Sequence, residues 1–303
     1  MKHLLSIEDL TVKQIGEILA LTRKLKAARG KRSHPQPLKG QTWALIFAKY
    51  STRTRVSFEV GIRELGGRVM FLSNNDIQLG RGEPIVDTAR VLGRMVHGCV
   101  IRTFHQKDVV DFAATSGIPT INALTDDEHP CQILADIFTI EEKLGRIQKK
   151  VVCFIGDGAC NVPASWMLAA GKLGFELRIA APRKYQPSPD LLKRAGGKII
   201  VTDDRAKAAE GADVVYADTW ISMGKEEEEA QRLTELNGYQ INDQLLEHAK
   251  PKALVMHCLP AYRGKEITND VFERHAETIF DQAENRLHTQ KAIMALLAKA
   301  WRK

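Results

Sequence analysis

Aromatic residues make up only 6% of the 303 positions, and the lysines and arginines are scattered rather than gathered with them into a stripe. A basic stripe with stacking aromatics is the footprint of nucleic-acid binding. Its absence, with a formal charge of only +7, argues against a nucleic-acid partner and suits the attraction of small anions. Cysteine is sparse: Cys99, Cys131, Cys153, Cys160 and Cys258 form neither a disulfide framework nor a CxxC pair. With no signal-peptide pattern, they point to a reducing, cytoplasmic setting. No apolar run has the length of a membrane span, so no membrane partner is expected. Low-complexity tracts and internal repeats are also missing. What is present is a 44% hydrophobic fraction, enough for the cores of two ordinary domains.

The stretch around which the chain is organised is Ser51-Thr52-Arg53-Thr54-Arg55. It follows an apolar run, 42–48, that predicts a buried strand. It precedes Phe58, Ile62 and Leu65, which fall at helical spacing. Ser51 or Thr52 is then the helix N-cap. A helix start offers unpaired N–H groups and the positive end of a dipole. With hydroxyls and two guanidiniums added, the turn is suited to a phosphate. A capped surface helix with solvated arginines is the plain alternative.

The rest of the chain predicts an α/β architecture. Thr11 and Gln14 form a capping box for an amphipathic helix that ends near Gly30. Strands are expected at 69–72, 99–101 and 118–121. Between the first two lies a polar loop, 74–83, and a helix opened by Pro84. His129-Pro130-Cys131-Gln132 opens a long helix that stops at Gly145 and joins two domains. Strands at 151–155, 176–181, 198–201, 214–217 and 253–256 alternate with helices, the pattern of a parallel sheet covered on both faces. The charge run 225–231 reads as a solvated helix face. A last helix, from about 285 to 301, is expected to pack back on the first domain. The predicted division is 1–145 with 285–303, and 146–284.

Polar residues directly follow the strands: 51–55, Arg102, Asn161, Asp218, and His257-Cys258. Ligands of open α/β sheets bind outside the carboxyl ends of the strands, so these positions are expected to face one cleft. Gly156-Asp157-Gly158 invites a dinucleotide reading. However, Asn161 stands where the third glycine belongs, and Ala181-Pro182-Arg183 where the ribose-binding acid belongs, so that reading fails. The His129/Cys131 and His257/Cys258 pairs lack metal-ligand spacing. Cys258 is either a thiol partner in the chemistry or a small buried residue.

With these residues in view, the chain resembles the ornithine carbamoyltransferases of the aspartate/ornithine carbamoyltransferase superfamily. The matching stretches are 51–55, Gln78-Leu79-Gly80-Arg81-Gly82-Glu83, 129–132, Asp218 with Ser222-Met223-Gly224, His257-Cys258-Leu259-Pro260, and Gln282-Ala283-Glu284-Asn285-Arg286. They span nearly the whole chain. The resemblance implies a carbamoyl-phosphate domain followed by an ornithine domain. It implies transfer of a carbamoyl group to the δ-amine of L-ornithine, with no metal or organic cofactor, in a homotrimer with shared active sites; assembly beyond the trimer stays open. Ser51, Thr52, Arg53, Thr54, Gln78 and Arg102 would hold the phosphate. Arg102, His129, Gln132, Thr54, Cys258, Leu259 and Arg286 would surround the carbamoyl end. Asn161, Asp218, Ser222 and Met223 would bind ornithine. The catalytic set implied is Arg53, Arg102, His129, Asp218 and Cys258, with the Ser222-Met223-Gly224 loop closing over the acceptor. The pattern departs at Cys131 and Cys160. Aspartate as acceptor is disfavoured by Ala261 after the Leu-Pro turn and by Asp218 itself; N-acetylornithine and putrescine stay open.

Overall fold

The computed structural model describes residues 1–73, 82–221 and 226–301. Of the predicted site, Gln78, Ser222 and Met223 lie outside the described residues, and with them the expected loop closure. The chain divides into two compact units, Met1–Phe138 with Glu284–Lys303, and Thr139–Ala283. Among the described residues no helix is long and apolar enough to cross a membrane.

In the first unit, β1 (Thr42–Phe47), β2 (Arg68–Ser73), β3 (Gly98–Arg102) and β4 (Thr120–Leu124) form a parallel sheet in the order β2-β1-β3-β4. The central strands β1 and β3 are buried almost throughout, while edge strand β2 is partly exposed. Their continuous apolar runs fit a sheet covered on both faces. Helix α1 (Val12–Ala28) starts at the expected capping box, with Thr11 and Gln14 bonded reciprocally, and buries Ile15, Ile18, Leu19 and Leu25. Helix α2 (Thr52–Glu64) is capped by the Ser51 hydroxyl, which accepts from Thr54 N at 3.2 Å. It buries Phe58 and Ile62, each worth about 1.5–3 kcal/mol. The unit continues through α3 (Ile85–Leu92), α4 (Gln106–Ser116) and the start of α5 (Pro130–Leu144), which Pro130 opens as predicted.

In the second unit, β5 (Val151–Ile155), β6 (Glu176–Ala180), β7 (Ile199–Thr202), β8 (Val214–Ala217) and β9 (Leu254–His257) form a parallel sheet in the order β7-β6-β5-β8-β9. Helix α6 (Asn161–Leu173) buries most of its length, including Trp166 and Met167. Shorter helices follow: α7 (Pro189–Ala195), α8 (Arg205–Ala209), α9 (Glu229–Glu235), α10 (Asp243–Leu246) and α11 (Asn269–Arg274).

The last helix corrects the sequence reading. Helix α12 (Ala276–Trp301) begins at Ala276 rather than near 285, because residues 276–284 contain no glycine or proline to interrupt it. From Glu284 on it belongs to the first unit, as expected. There Lys26 Nζ donates to Asn285 Oδ1 at 2.9 Å, and the buried Lys291 ammonium meets Glu64 of α2 at 2.5 Å. A Cβ on Gly61 would lie 3.2 Å from Lys291 Cγ, so the close approach of α2 and α12 depends on that glycine.

Candidate active site

In each sheet the chain order reverses beside the first strand, and the candidate residues sit at that switch point. In the first unit, β1 leads into the 51–55 turn while its neighbour β3 ends in Arg102. The first turn of α2 contains no acidic residue, which leaves its positive end unopposed from within the helix. Arg286 reaches the turn from α12, its Nη2 donating to Thr54 Oγ1 at 2.9 Å. Arg102 is buried; burial, then the charges of Arg286 and Arg53, lower its pKa to about 10. Burial also pushes His129 well below its usual 6.5, helped by Arg286 and Arg102, so its imidazole is neutral near pH 7. Ser51, Arg53, Thr54, Arg102, His129 and Arg286 are thereby brought into one cationic cluster. Such crowding of like charges is relieved when an anion enters.

Gln132, at the start of α5, donates through Nε2 to Asp136 Oδ1 at 2.9 Å. That bond fixes the amide, and its buried Oε1 has no hydrogen-bond partner among the described residues. A fixed acceptor of this kind suits an N–H of a small ligand. Cys131 is fully buried beside the cluster; burial raises its thiol to about 12, so it packs rather than reacts.

One expectation fails here. Arg55 does not join the cluster: it pairs with Glu59 at 3.2 Å and stacks on the Phe71 ring at 3.6 Å. The helical turn between Arg53 and Arg55 sends the two side chains to different surroundings. A cavity of about 750 Å³ opens beside the turn, lined among others by Lys49, Tyr50, Ser51, Thr52 and Phe71. It takes in Ser51 and Thr52 but not Arg53, Arg102 or His129, so it adjoins the cationic cluster rather than containing it.

In the second unit, β5 and β8 are the neighbours at the switch point. Asn161 is the first residue of α6, reached by a turn in which Gly156 has φ +126°, a conformation that glycine adopts without strain. Asp218 follows β8, and its Oδ1 accepts from the Cys258 thiol at 2.8 Å and from Thr219 N at 2.7 Å. Burial raises the Asp218 pKa, while the thiol hydrogen bond and His257 offset part of that rise.

His257 and Glu266 were missed as a pair by sequence reading. Both are buried, with His257 Nε2 3.2 Å from Glu266 Oε1. His257 Nδ1 accepts from Leu259 N at 2.9 Å, which assigns the ring proton to Nε2. Glu266 Oε1 also accepts from Tyr262 N at 2.5 Å. These bonds hold the 257–260 segment, in which Leu259 has φ +60°, a left-handed conformation of about 1–3 kcal/mol strain for such a residue. His257 thus braces the loop that carries Cys258 and does not activate the thiol, whose partner is Asp218. His257 and Glu266 are nine positions apart in the sequence, with no periodic signal to join them.

Residues 2–142 match the family model for the carbamoyl-P binding domain of aspartate/ornithine carbamoyltransferase, and residues 148–297 match that for its Asp/Orn binding domain. The chain is 58% identical to an ornithine carbamoyltransferase of Akkermansia muciniphila, over 100% of both chains. Among solved structures, the anabolic ornithine carbamoyltransferase of Campylobacter jejuni aligns with a TM-score of 0.93 at 41% identity, covering 99% of this chain and 100% of that one. The ornithine carbamoyltransferase of Pyrococcus furiosus aligns at 0.92 and 44%, covering 98% and 97%. A cationic cluster on one switch point, an acid–thiol pair on another, and these full-length matches lead to one conclusion: the chain belongs to the aspartate/ornithine carbamoyltransferase family.

Proposed function

We propose that the protein is an ornithine carbamoyltransferase, making L-citrulline and phosphate from carbamoyl phosphate and L-ornithine. The observation that carries the reading is the contrast between the crowded arginines of the first unit and the Asp218–Cys258 pair of the second. The first unit holds carbamoyl phosphate, and the second holds ornithine. Ser51, Thr52, Arg53 and the start of α2 take the phosphate, with Gln78 beside them. Arg102, His129 and the Thr54 hydroxyl receive the charge that builds on the carbonyl oxygen, and Gln132 Oε1 accepts from the carbamoyl NH2. Leu259, through its backbone carbonyl, and Cys258 complete the carbamoyl end.

The nucleophile must be a neutral amine, and stripping the proton from a lysine-like ammonium at pH 7 takes about 4–5 kcal/mol. Asp218 and Cys258 position and desolvate that amine, and the departing phosphate accepts its proton. Phosphate then leaves against Arg53, Arg286 and the helix start. Asn161, Ser222 and Met223 bind the amino-acid end of ornithine. The enzyme works as a cytoplasmic homotrimer with shared active sites in arginine metabolism.

The test is product formation from carbamoyl phosphate with ornithine, N-acetylornithine, putrescine and aspartate in parallel, with sedimentation of the same sample. Citrulline from ornithine at the highest kcat/KM, from a trimer, is the expected result. Preference for another amine would overturn the acceptor assignment, and a monomer turning over at full rate would overturn the shared site.

A further inference from the structure

Arg232, 2% exposed, is the one buried residue of helix α9; Leu233 and Glu235 are half-buried and the other four residues are exposed. A seven-residue helix that buries a single side chain normally buries an apolar one. Here the buried group is a guanidinium, and each of its edges is used. Arg232 Nε donates to the carbonyl of Trp220 at 2.6 Å. Its Nη2 pairs with the buried Asp157 carboxylate, and its Nη1 lies 3.4 Å from Glu228 Oε2. The plane also sits 4.9 Å from the centre of the Tyr185 ring.

The two buried partners are on different segments. Asp157 belongs to the turn after β5; its other oxygen, Oδ1, accepts from Ala159 N at 2.9 Å, and the turn ends at Asn161. Trp220 lies just beyond Asp218, on the segment that leaves β8. These strands are neighbours, with Ile155 paired to Ala217 at their carboxyl ends. One guanidinium therefore ties the segment carrying Asn161 to the segment carrying Asp218, where the sheet order reverses. A buried ion pair adds little net stability over a well-packed apolar replacement, so stability alone is a poor explanation for it. A planar fork that bonds a carboxylate on one edge and a carbonyl on another is a geometric device, and a lysine cannot reproduce it.

We infer that Arg232 is a positioning residue for the amine acceptor: by joining the Asp157 turn to the Trp220 carbonyl it sets the spacing between Asn161 and Asp218, and so the fit of an acceptor with a carboxylate end and an amine end. The inference rests on the carbamoyl-transfer reading. It adds a residue that touches neither substrate and acts on one of them only.

The experiment is steady-state kinetics on the full chain, wild type against Arg232→Lys, with equilibrium binding of carbamoyl phosphate measured in the absence of ornithine. Lysine keeps a cation opposite Asp157, so the core holds no uncompensated charge, but it cannot make both bonds. The expected result is a KM for ornithine raised about tenfold or more, a smaller change in kcat, and carbamoyl phosphate binding within about twofold of wild type. A second variant, Asp157→Asn with Arg232→Gln, removes both charges together and is expected to show the same split. An unchanged KM for ornithine in either folded variant would overturn the inference. So would equal losses for both substrates, the mark of general destabilisation. Absence of citrulline formation by the wild type would instead sink the activity reading, and the two failures are told apart in the same assay.

Discussion

Arg102 and Asp218 stand at equivalent places, each at the carboxyl end of a strand beside the point where its sheet reverses order. Their surroundings push them in opposite ways. Burial, Arg286 and Arg53 lower Arg102 to about 10, as expected where positive charge is already in excess. Burial raises Asp218, and a thiol hydrogen bond and His257 offset part of the rise. One site gains from an incoming anion, the other from an incoming cation. The same backbone plan has been given opposite electrostatic tasks, and a reaction between an anionic donor and an ammonium-bearing acceptor needs both.

Breaking the cationic side gives the largest expected effect. Arg53→Ala should lower kcat about 100- to 1000-fold, the usual loss for one donor at a developing oxyanion, while thermal unfolding stays near wild type because Arg53 is only partly buried. Near wild-type turnover in the folded variant would contradict the assignment. On the acidic side, Asp218→Asn should lower kcat/KM for ornithine about 100-fold or more, with the KM for carbamoyl phosphate almost unmoved. Equal damage to both substrates would erase the distinction between the sites.

Cys258→Ala sharpens the comparison with a smaller effect. The thiol bond at 2.8 Å stabilises the ionised form of Asp218, and losing a bond to a charged group removes about 1.5 kcal/mol, roughly tenfold in rate. Without that donor the Asp218 pKa rises further, so the acid limb of kcat/KM for ornithine should move to higher pH. A shift to lower pH would show that the thiol does something else.

The smallest effect concerns stability. His129 titrates well below 6.5 in the folded chain, so as pH falls the unfolded chain takes up its proton first. The contribution of neutral His129 is therefore complete above about pH 6.5 and declines below it. His129→Gln should flatten the acid side of the stability-pH curve by up to about one proton in slope, measured by urea unfolding between pH 5 and pH 7.5. An unchanged slope would mean that His129 is charged in the fold.

Much of this was legible in the residues, for definite reasons. The Thr11 capping box, the Ser51 cap and Pro130 are local signals, and each marks a helix start as read. The strands 151–155, buried beyond Val151, and 214–217, buried throughout, appear with the predicted bounds because continuous apolar runs have sharp polar ends. The strand expected at 118–121 starts instead at Thr120, because Pro119 has no N–H for a ladder. Long-range pairings were not legible. The charge run 225–231 does form an exposed surface over the described residues, yet the next residue, Arg232, is the buried one. Its burial follows from Asp157 and Trp220, which are distant in sequence. Arg55 looked equivalent to Arg53 and is not, because Glu59 and Phe71 claim it.

The most direct test of the division between the two sites is calorimetric titration of carbamoyl phosphate, without ornithine, into the wild type, Arg102→Ala and Asp218→Asn. Losing a charge-assisted contact should weaken binding about 10- to 100-fold in Arg102→Ala, while Asp218→Asn stays within about twofold of wild type. Equal weakening in both variants, or none in Arg102→Ala, would contradict it.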